Sequence, residues 1–261
     1  MLLRVLSALV MLPLLLAVLF LLPPWGTLAL ALVAAAAAVW EYAALSAALS
    51  VPIPRAAAVA GAMAACGAFA VDEPPLTIVL SAIVVATAGL AVAGGRPTRD
   101  MLAAVASTCF AALWIGIPLG TIVAIRRFGG AEVVLPLIFT MVVSDSAQYY
   151  VGRAFGRRPL SPLISPKKTV EGAIGGMVFG VPAMVWSGSW FLPGVGWEWL
   201  ALVGAAIAVL GMTGDLFESA IKRAADVKDS STLIPGHGGV LDRLDGWFFA
   251  APVYYAFLRS W

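Results

Sequence analysis

Nine apolar stretches follow one another along this chain, near residues 2–22, 26–46, 55–71, 75–94, 101–124, 131–151, 170–191, 199–220 and 246–260. A bilayer core takes about 20 consecutive apolar residues per helix, so most of these stretches are long enough to cross one. With 62% hydrophobic and 11% charged residues, the chain lacks the polar residues needed to cover a water-soluble domain of this size. The expected fold is an all-α integral membrane protein of about nine transmembrane helices, organised as one polytopic domain. Residues 1–130 would supply the N-terminal helices and residues 131–261 the C-terminal half. The breaks between stretches carry Pro23–Pro24, Pro52, Pro54, Pro74–Pro75, Gly94–Gly95 and Gly129–Gly130, residues that end or turn helices. The first stretch reads as a retained helix rather than a leader, because no small-x-small cleavage pattern precedes Pro23. The third is Ala/Gly-rich and the last is short, so either is expected to be partial or packed closely by its neighbours. Cys66 and Cys109 lie inside apolar segments, which suggests small packing residues rather than a disulfide or a metal clip.

The cations are distributed more informatively than the net charge of +2, which is too small to suggest a nucleic-acid partner. If the nine segments alternate, one side receives Arg4, Arg55, Arg96, Arg99, Arg153, Arg157, Arg158, Lys167, Lys168, Lys222, Arg223, Lys228 and Arg243. The other side receives only Arg126, Arg127 and Arg259. The positive-inside bias then puts the first side in the cytoplasm, with the N-terminus in and the C-terminus out. The two long polar connections, 152–169 and 221–245, fall on that cytoplasmic face, within reach of a soluble nucleotide.

The second connection concentrates the chemistry. Eight charged residues occupy the 27 positions Ser219–Asp245: Lys222, Arg223, Lys228 and Arg243 alternate with Asp226, Asp229, Asp242 and Asp245. That mixture suits phosphates held together with a divalent cation. Just upstream, Asp215, Glu218, Ser219 and Lys222 are spaced to share one helix face. An acid at membrane depth needs a polar cavity or a partner, which makes Asp215 a candidate. Glu218 and Lys222 also have the i, i+4 spacing of a structural ion pair. Asp145, inside the sixth stretch with Gln148, Tyr149 and Gly152 on its face, is expected as a second buried acid, either for metal or for a bond between helices. Asp242 and Asp245 stand one turn apart if the ninth helix begins near Leu241; the alternative is a pair of solvated loop acids. Magnesium takes one or two carboxylates plus phosphate oxygens and water. Asp215 with Asp242 fits that demand, and Asp145 or Asp245 would leave room for a second cation.

His237 is the sole histidine, so histidine metal sites and Ser-His-Asp triads lack their partners. In Pro-Gly-His-Gly-Gly it suits contact with a phosphate or base, or a hydrogen bond within a turn; Gly238 and Gly239 would let backbone N–H groups approach an anion. The connection 152–169 brings Arg153, Arg157, Arg158, Lys167 and Lys168, and ends in Ser165-Pro166-Lys167-Lys168-Thr169. Thr169 suits a helix N-cap, where a phosphate would meet lysines and the positive end of a helix together. Arg157 and Arg158 read as residues that serve topology or attraction to anionic lipid. No G-x4-G-K-[ST], strand-linked G-x-G-x-x-G or H-E-x-x-H motif is present.

Ser219, Lys222, Arg223, Lys228, Asp229, Pro235, His237, Gly238, Gly239, Asp242, Arg243 and Asp245 fall at the spacing of the CDP-diacylglycerol synthases, or phosphatidate cytidylyltransferases, and the chain resembles that family over roughly residues 140–261. Gly214-Asp215-x-x-Glu218, Asp145-x-x-x-Tyr149-x-x-Gly152 and Ser165-Pro166-Lys167-Lys168-Thr169-x-Glu171-Gly172 resemble it too. The resemblance implies a magnesium-dependent reaction of CTP with phosphatidate, giving CDP-diacylglycerol and pyrophosphate, in a homodimer of the inner (cytoplasmic) membrane with its site facing the cytoplasm. Asp215 and Asp242 are then expected to hold metal, with Asp145 and Asp245 as further ligands. Lys167, Lys168, Lys222, Arg223 and Arg243 would meet phosphates, and Ser165, Thr169, Ser219, Lys228, His237, Gly238 and Gly239 would line the substrate site. A CTP-dependent polyprenol or lipid kinase would need a base such as Asp145 or Asp229 for its hydroxyl substrate. An ion-coupled transporter would show an inverted repeat, which the sequence does not display.

Overall fold

In a computed structural model the described residues are 13–72, 74–95, 99–234, 236 and 238–261. Arg4, Arg96, Pro235 and His237, used in the readings above, lie outside them. The described chain is almost entirely helical, and six of its helices are long and apolar enough to cross a membrane. It divides into two compact units, residues 1–127 with 224–244 and residues 128–223 with 245–261.

The first unit contains α1 (Pro24–Ala48), α2 (Arg55–Gly67), α3 (Leu76–Ala93), most of α4 (Met101–Gly129) and the short α8 (Leu241–Leu244). Pro24 starts α1, where a missing N–H costs nothing. The weakly hydrophobic third stretch becomes α2, with Ala58, Gly61, Ala62, Ala65 and Cys66 buried. Its small side chains let neighbours approach closely. A side chain at Gly116 would sit 2.5 Å from the Ala62 carbonyl, and Ala65 shares a buried cluster with Ile83 of α3 and Ala112 of α4. Around that contact α4 widens into a π turn over Ala112–Gly116. At thirteen residues α2 is shorter than the long spans. Cys66 and Cys109 are both free thiols.

The second unit contains α5 (Leu135–Phe155), a hairpin of β1 (Pro159–Ser161) and β2 (Ser165–Thr169), α6 (Val170–Phe191), α7 (Trp197–Ala224) and α9 (Trp247–Arg259). The α5 face Leu137, Ile138, Met141 and Ser144 is buried. It packs against α6, whose Gly176 and Gly180 meet Gln148 and Ser144. The hairpin was not foreseen: prolines at 159, 162 and 166 favour extended backbone, and Pro159 pairs with Thr169 while Ser161 pairs with Ser165. Glu171 braces it by accepting from the Arg157 and Arg158 backbone N–H groups at 3.0 and 3.2 Å and from Arg158 Nε at 3.1 Å. The ninth stretch, 246–260, is α9, but the helix does not reach back to Leu241. Helix α8 stops at Leu244, and α9 starts only at Trp247. Tyr254 of α9 donates its hydroxyl to the Val133 carbonyl, 2.8 Å away.

Candidate active site

In the second unit, polar groups gather at the C-terminal end of α7. Asp215 lies on this helix, and Ser219, one turn later, donates its hydroxyl to Asp215 Oδ1 at 3.3 Å. Lys168, near the end of β2, places its ammonium 2.5 Å from Asp215 Oδ2. Asp215 and Ser219 thus meet along α7 as their spacing suggests, and the hairpin supplies a counter-charge to Asp215. Both side chains are partly open, at 23% for Lys168 and 44% for Asp215. Asp245, in the break before α9, completes the cluster. Its carbonyl lies against Gly214, where a side chain would collide with it. Burial, and after it the negative charge of Asp215, pushes the Asp245 carboxyl up to about 7. Its backbone neighbour Gly246 donates to Asp245 Oδ1 at 2.7 Å.

Among the other predicted residues of this unit, Lys222 reaches this cluster through its charge, which also acts on Asp245. Lys222 is buried in an i, i+4 ion pair with the fully buried Glu218, the structural alternative that their spacing had left open. Asp145 corrects an expectation. It is exposed rather than buried and accepts from Gln148 Nε2 at 3.3 Å. It stands one residue past the buried Ser144, and that 100° step carries it off the packed face of α5. Thr169 caps α6 as expected, its hydroxyl accepting from the Gly172 N–H at 3.1 Å. Lys167 and Arg223 are exposed, and Ser165 is half-buried in β2.

The first unit holds the rest of the charged run, and one residue there had not been foreseen. Glu41 of α1, 4% exposed, accepts hydrogen bonds on both oxygens. Ser231 Oγ and the Val240 N–H donate to Oε1 at 2.6 and 3.0 Å; the Leu241 N–H and Ser230 Oγ donate to Oε2 at 2.8 and 3.0 Å. The sequence did carry a signal for it: Glu41 is the only acid before Asp72, and it interrupts an apolar stretch. Asp242, also buried, has its Oδ2 bound by the Gly239 N–H at 2.7 Å, the Ser230 N–H at 2.9 Å and Ser230 Oγ at 2.8 Å. Ser230 thus lies between two carboxylates, and its single hydroxyl hydrogen serves one at a time. The Gly239 N–H, expected to face a phosphate, is instead directed to Asp242. Gly238 has φ +78° and leaves room for Asp242 Oδ2, which would lie 2.5 Å from any Cβ there. Lys228, Asp229 and Arg243 are exposed. Asp242 is therefore no solvated loop acid, and Asp245 is only partly exposed.

Among the described residues, no three His, Cys, Asp or Glu side chains converge as a metal cage. Magnesium does not require one. Asp215 and Asp245 offer hard oxygens close enough for one charge to raise the other's pKa, and a cation would relieve that repulsion.

The pattern of the cytidylyltransferase family matches residues 2–261. The chain is also similar to a phosphatidate cytidylyltransferase of Bacillus subtilis, 40% identical over 151 residues, which cover 57% of this chain and 56% of the relative. It is similar to an uncharacterised protein of Escherichia coli, YnbB, 44% identical over 131 residues, 50% of this chain and 44% of that one. A phosphatidate cytidylyltransferase of Thermotoga maritima is 42% identical over 144 residues, half of each chain. The chain thus spans about half the length of the curated relatives it matches. The match along nearly its whole length means that this chain belongs to the cytidylyltransferase family.

Proposed function

We propose that this chain transfers the cytidylyl group of CTP to phosphatidate, giving CDP-diacylglycerol and pyrophosphate. The observation that carries the reading is the cluster at the end of α7, where the Lys168 ammonium lies on Asp215 beside Ser219 and Asp245. It presents a cation and hard oxygen ligands together, and relatives of this chain are named for the same reaction. A phosphate monoester has a second pKa near about 6, so phosphatidate is largely dianionic at neutral pH and needs no general base. One of its phosphate oxygens bonds to the α-phosphorus of CTP while the bond from that phosphorus to the β-phosphate oxygen breaks. Pyrophosphate leaves with that electron pair. The work of the side chains is to hold the reactants in line and to neutralise charge. Lys167, Lys168, Arg223 and Arg243 are assigned to the phosphates, with Ser165, Ser219, Lys228, His237 and Gly238 at the substrates. Magnesium, when bound, would neutralise phosphate oxygens and polarise the α-phosphorus. Asp215 and Asp245 are suited to hold it, and Asp242 is assigned to the metal as the family resemblance implies. Asp145 is assigned only to a second cation.

The site is proposed to face the cytoplasm from the inner membrane, in a homodimer. With CTP labelled at the α-phosphorus, the lipid product should carry the label and pyrophosphate should be released. Label reaching lipid only from the γ-position, with CDP released, would identify a kinase instead. Asp215→Asn should lower turnover by on the order of a hundredfold or more while the protein still elutes as a folded species; near-normal turnover would remove Asp215 from the site.

A further inference from the structure

We propose that Glu41 is a positioning residue for the proposed transfer: it ties Ser230 and Ser231 to Val240 and Leu241 so that α8 presents Asp242 and Arg243 in one fixed geometry. This rests on the functional reading above. An ionised side chain within a helix of membrane-span length is costly to bury unless its oxygens are satisfied. Glu41 accepts from Ser231 Oγ, the Val240 N–H and the Leu241 N–H, and shares the Ser230 hydroxyl with Asp242, all from residues nearly two hundred positions away in sequence. A need only to pack α1 would be met by an apolar side chain. The four donors instead belong to two stretches of one connection, Ser230–Ser231 and Val240–Leu241, which the carboxylate ties together. Gly239 lies between them and has no space for a side chain, because Glu41 Oε2 and Ser230 Oγ occupy it. Three successive N–H groups, at 239, 240 and 241, therefore all bond protein carboxylates: the first binds Asp242 and the next two bind Glu41. An internal carboxylate fills the amide cradle at the start of α8, which fixes where Asp242 and Arg243 begin.

The test uses the full chain in detergent and compares wild type with Glu41→Gln, Glu41→Asp and Ser231→Ala. Two quantities are read: kcat and KM for CTP with phosphatidate, and hydrogen exchange at the amides of residues 239–241. Glutamine turns one acceptor pair into a donor facing donors. The expected result for Glu41→Gln is a folded protein with kcat/KM for CTP lower by about tenfold or more and faster exchange at Val240 and Leu241. Glu41→Asp should recover part of both. Ser231→Ala removes one of the four donors and should shift both in the same direction by a smaller factor; it decides the matter if Glu41→Gln does not accumulate. Reduced thermal stability with unchanged kinetics of the folded protein would make Glu41 merely structural and overturn the proposal. Unchanged exchange in an active protein would overturn it too. An inactive wild type with faster exchange in Glu41→Gln would overturn the functional reading while supporting the anchor.

Discussion

Gly239 carries no side chain because the space a methyl group would take is filled by the Ser230 hydroxyl and the Glu41 carboxylate. Both are held by other hydrogen bonds, so neither can move aside cheaply. Gly239→Ala should therefore destabilise the protein by about 1–3 kcal/mol through overpacking, seen as a lower melting temperature together with loss of the proposed cytidylyl transfer. A wild-type melt would mean that the segment relaxes freely. The residue type was legible in the sequence, but its reason was not: a Gly-Gly pair suggests an approaching anion, and the anion proves to be a glutamate from the first long helix. Glu41 itself could have been found by the logic that singled out Asp215, since both are acids within apolar stretches. Asp245 carries a further consequence. Its carboxyl, ordinarily near 3.8, is raised to about 7 in the fold by burial and by Asp215. A raised folded pKa means that the native state holds the proton more tightly than the unfolded chain, so this contribution is complete below about pH 4 and is lost as the pH rises through 7. In chelator, Asp245→Asn should flatten that decline and melt higher than wild type at pH 8. A steeper decline in the variant would show that the charge is stabilised rather than strained.

At the scale of elements, hydropathy sufficed wherever a helix is apolar on most faces. The stretch read as 170–191 is α6, Val170–Phe191, and 199–220 lies within α7, Trp197–Ala224. It did not suffice where backbone geometry is decided by contacts distant in sequence. The stretch read as 246–260 is α9, Trp247–Arg259, but a single helix beginning near Leu241 does not form, because the backbone breaks at Asp245–Gly246. There the backbone lies against Gly211 and Gly214 of α7, and a continuous helix would not direct the Asp245 carbonyl at that surface. The hairpin was missed for a related reason. Its strands are three and five residues long, too short for a period-two pattern, and they are held by Glu171 beyond their end. Thr169 was legible because capping is local. Its hydroxyl accepts the Gly172 N–H, and Gly152 and Gly156 of the neighbouring turn leave space for it. Thr169→Ala should cost about 1 kcal/mol in a denaturation midpoint, while Thr169→Ser, which keeps the acceptor, should cost much less. Equal losses in the two variants would assign the effect to the Thr169 methyl group, not to the cap.

For the whole molecule, the long helices support residence in a membrane, while orientation rests on the asymmetry of Lys and Arg across the connections. Helices α6 and α7 are both long and apolar enough to span; if both cross, a chain leaving the hairpin returns to the side it left. Leu163 at the hairpin turn is 92% exposed, and Thr232 is exposed in the second connection, which makes them suitable reporters. In a background with Cys66→Ala and Cys109→Ala, both L163C and T232C should react with a membrane-impermeant maleimide in inverted vesicles and resist it in intact spheroplasts. S260C, beyond α9, should show the opposite pattern if the positive-inside reading holds over the whole chain. Reaction of L163C and T232C from opposite sides would mean that one of α6 and α7 does not cross, and the two basic connections could not then serve a nucleotide in one compartment. Reaction of both from the outside would invert the topology and place the proposed CTP site away from the cytoplasm, a result that the charge distribution opposes.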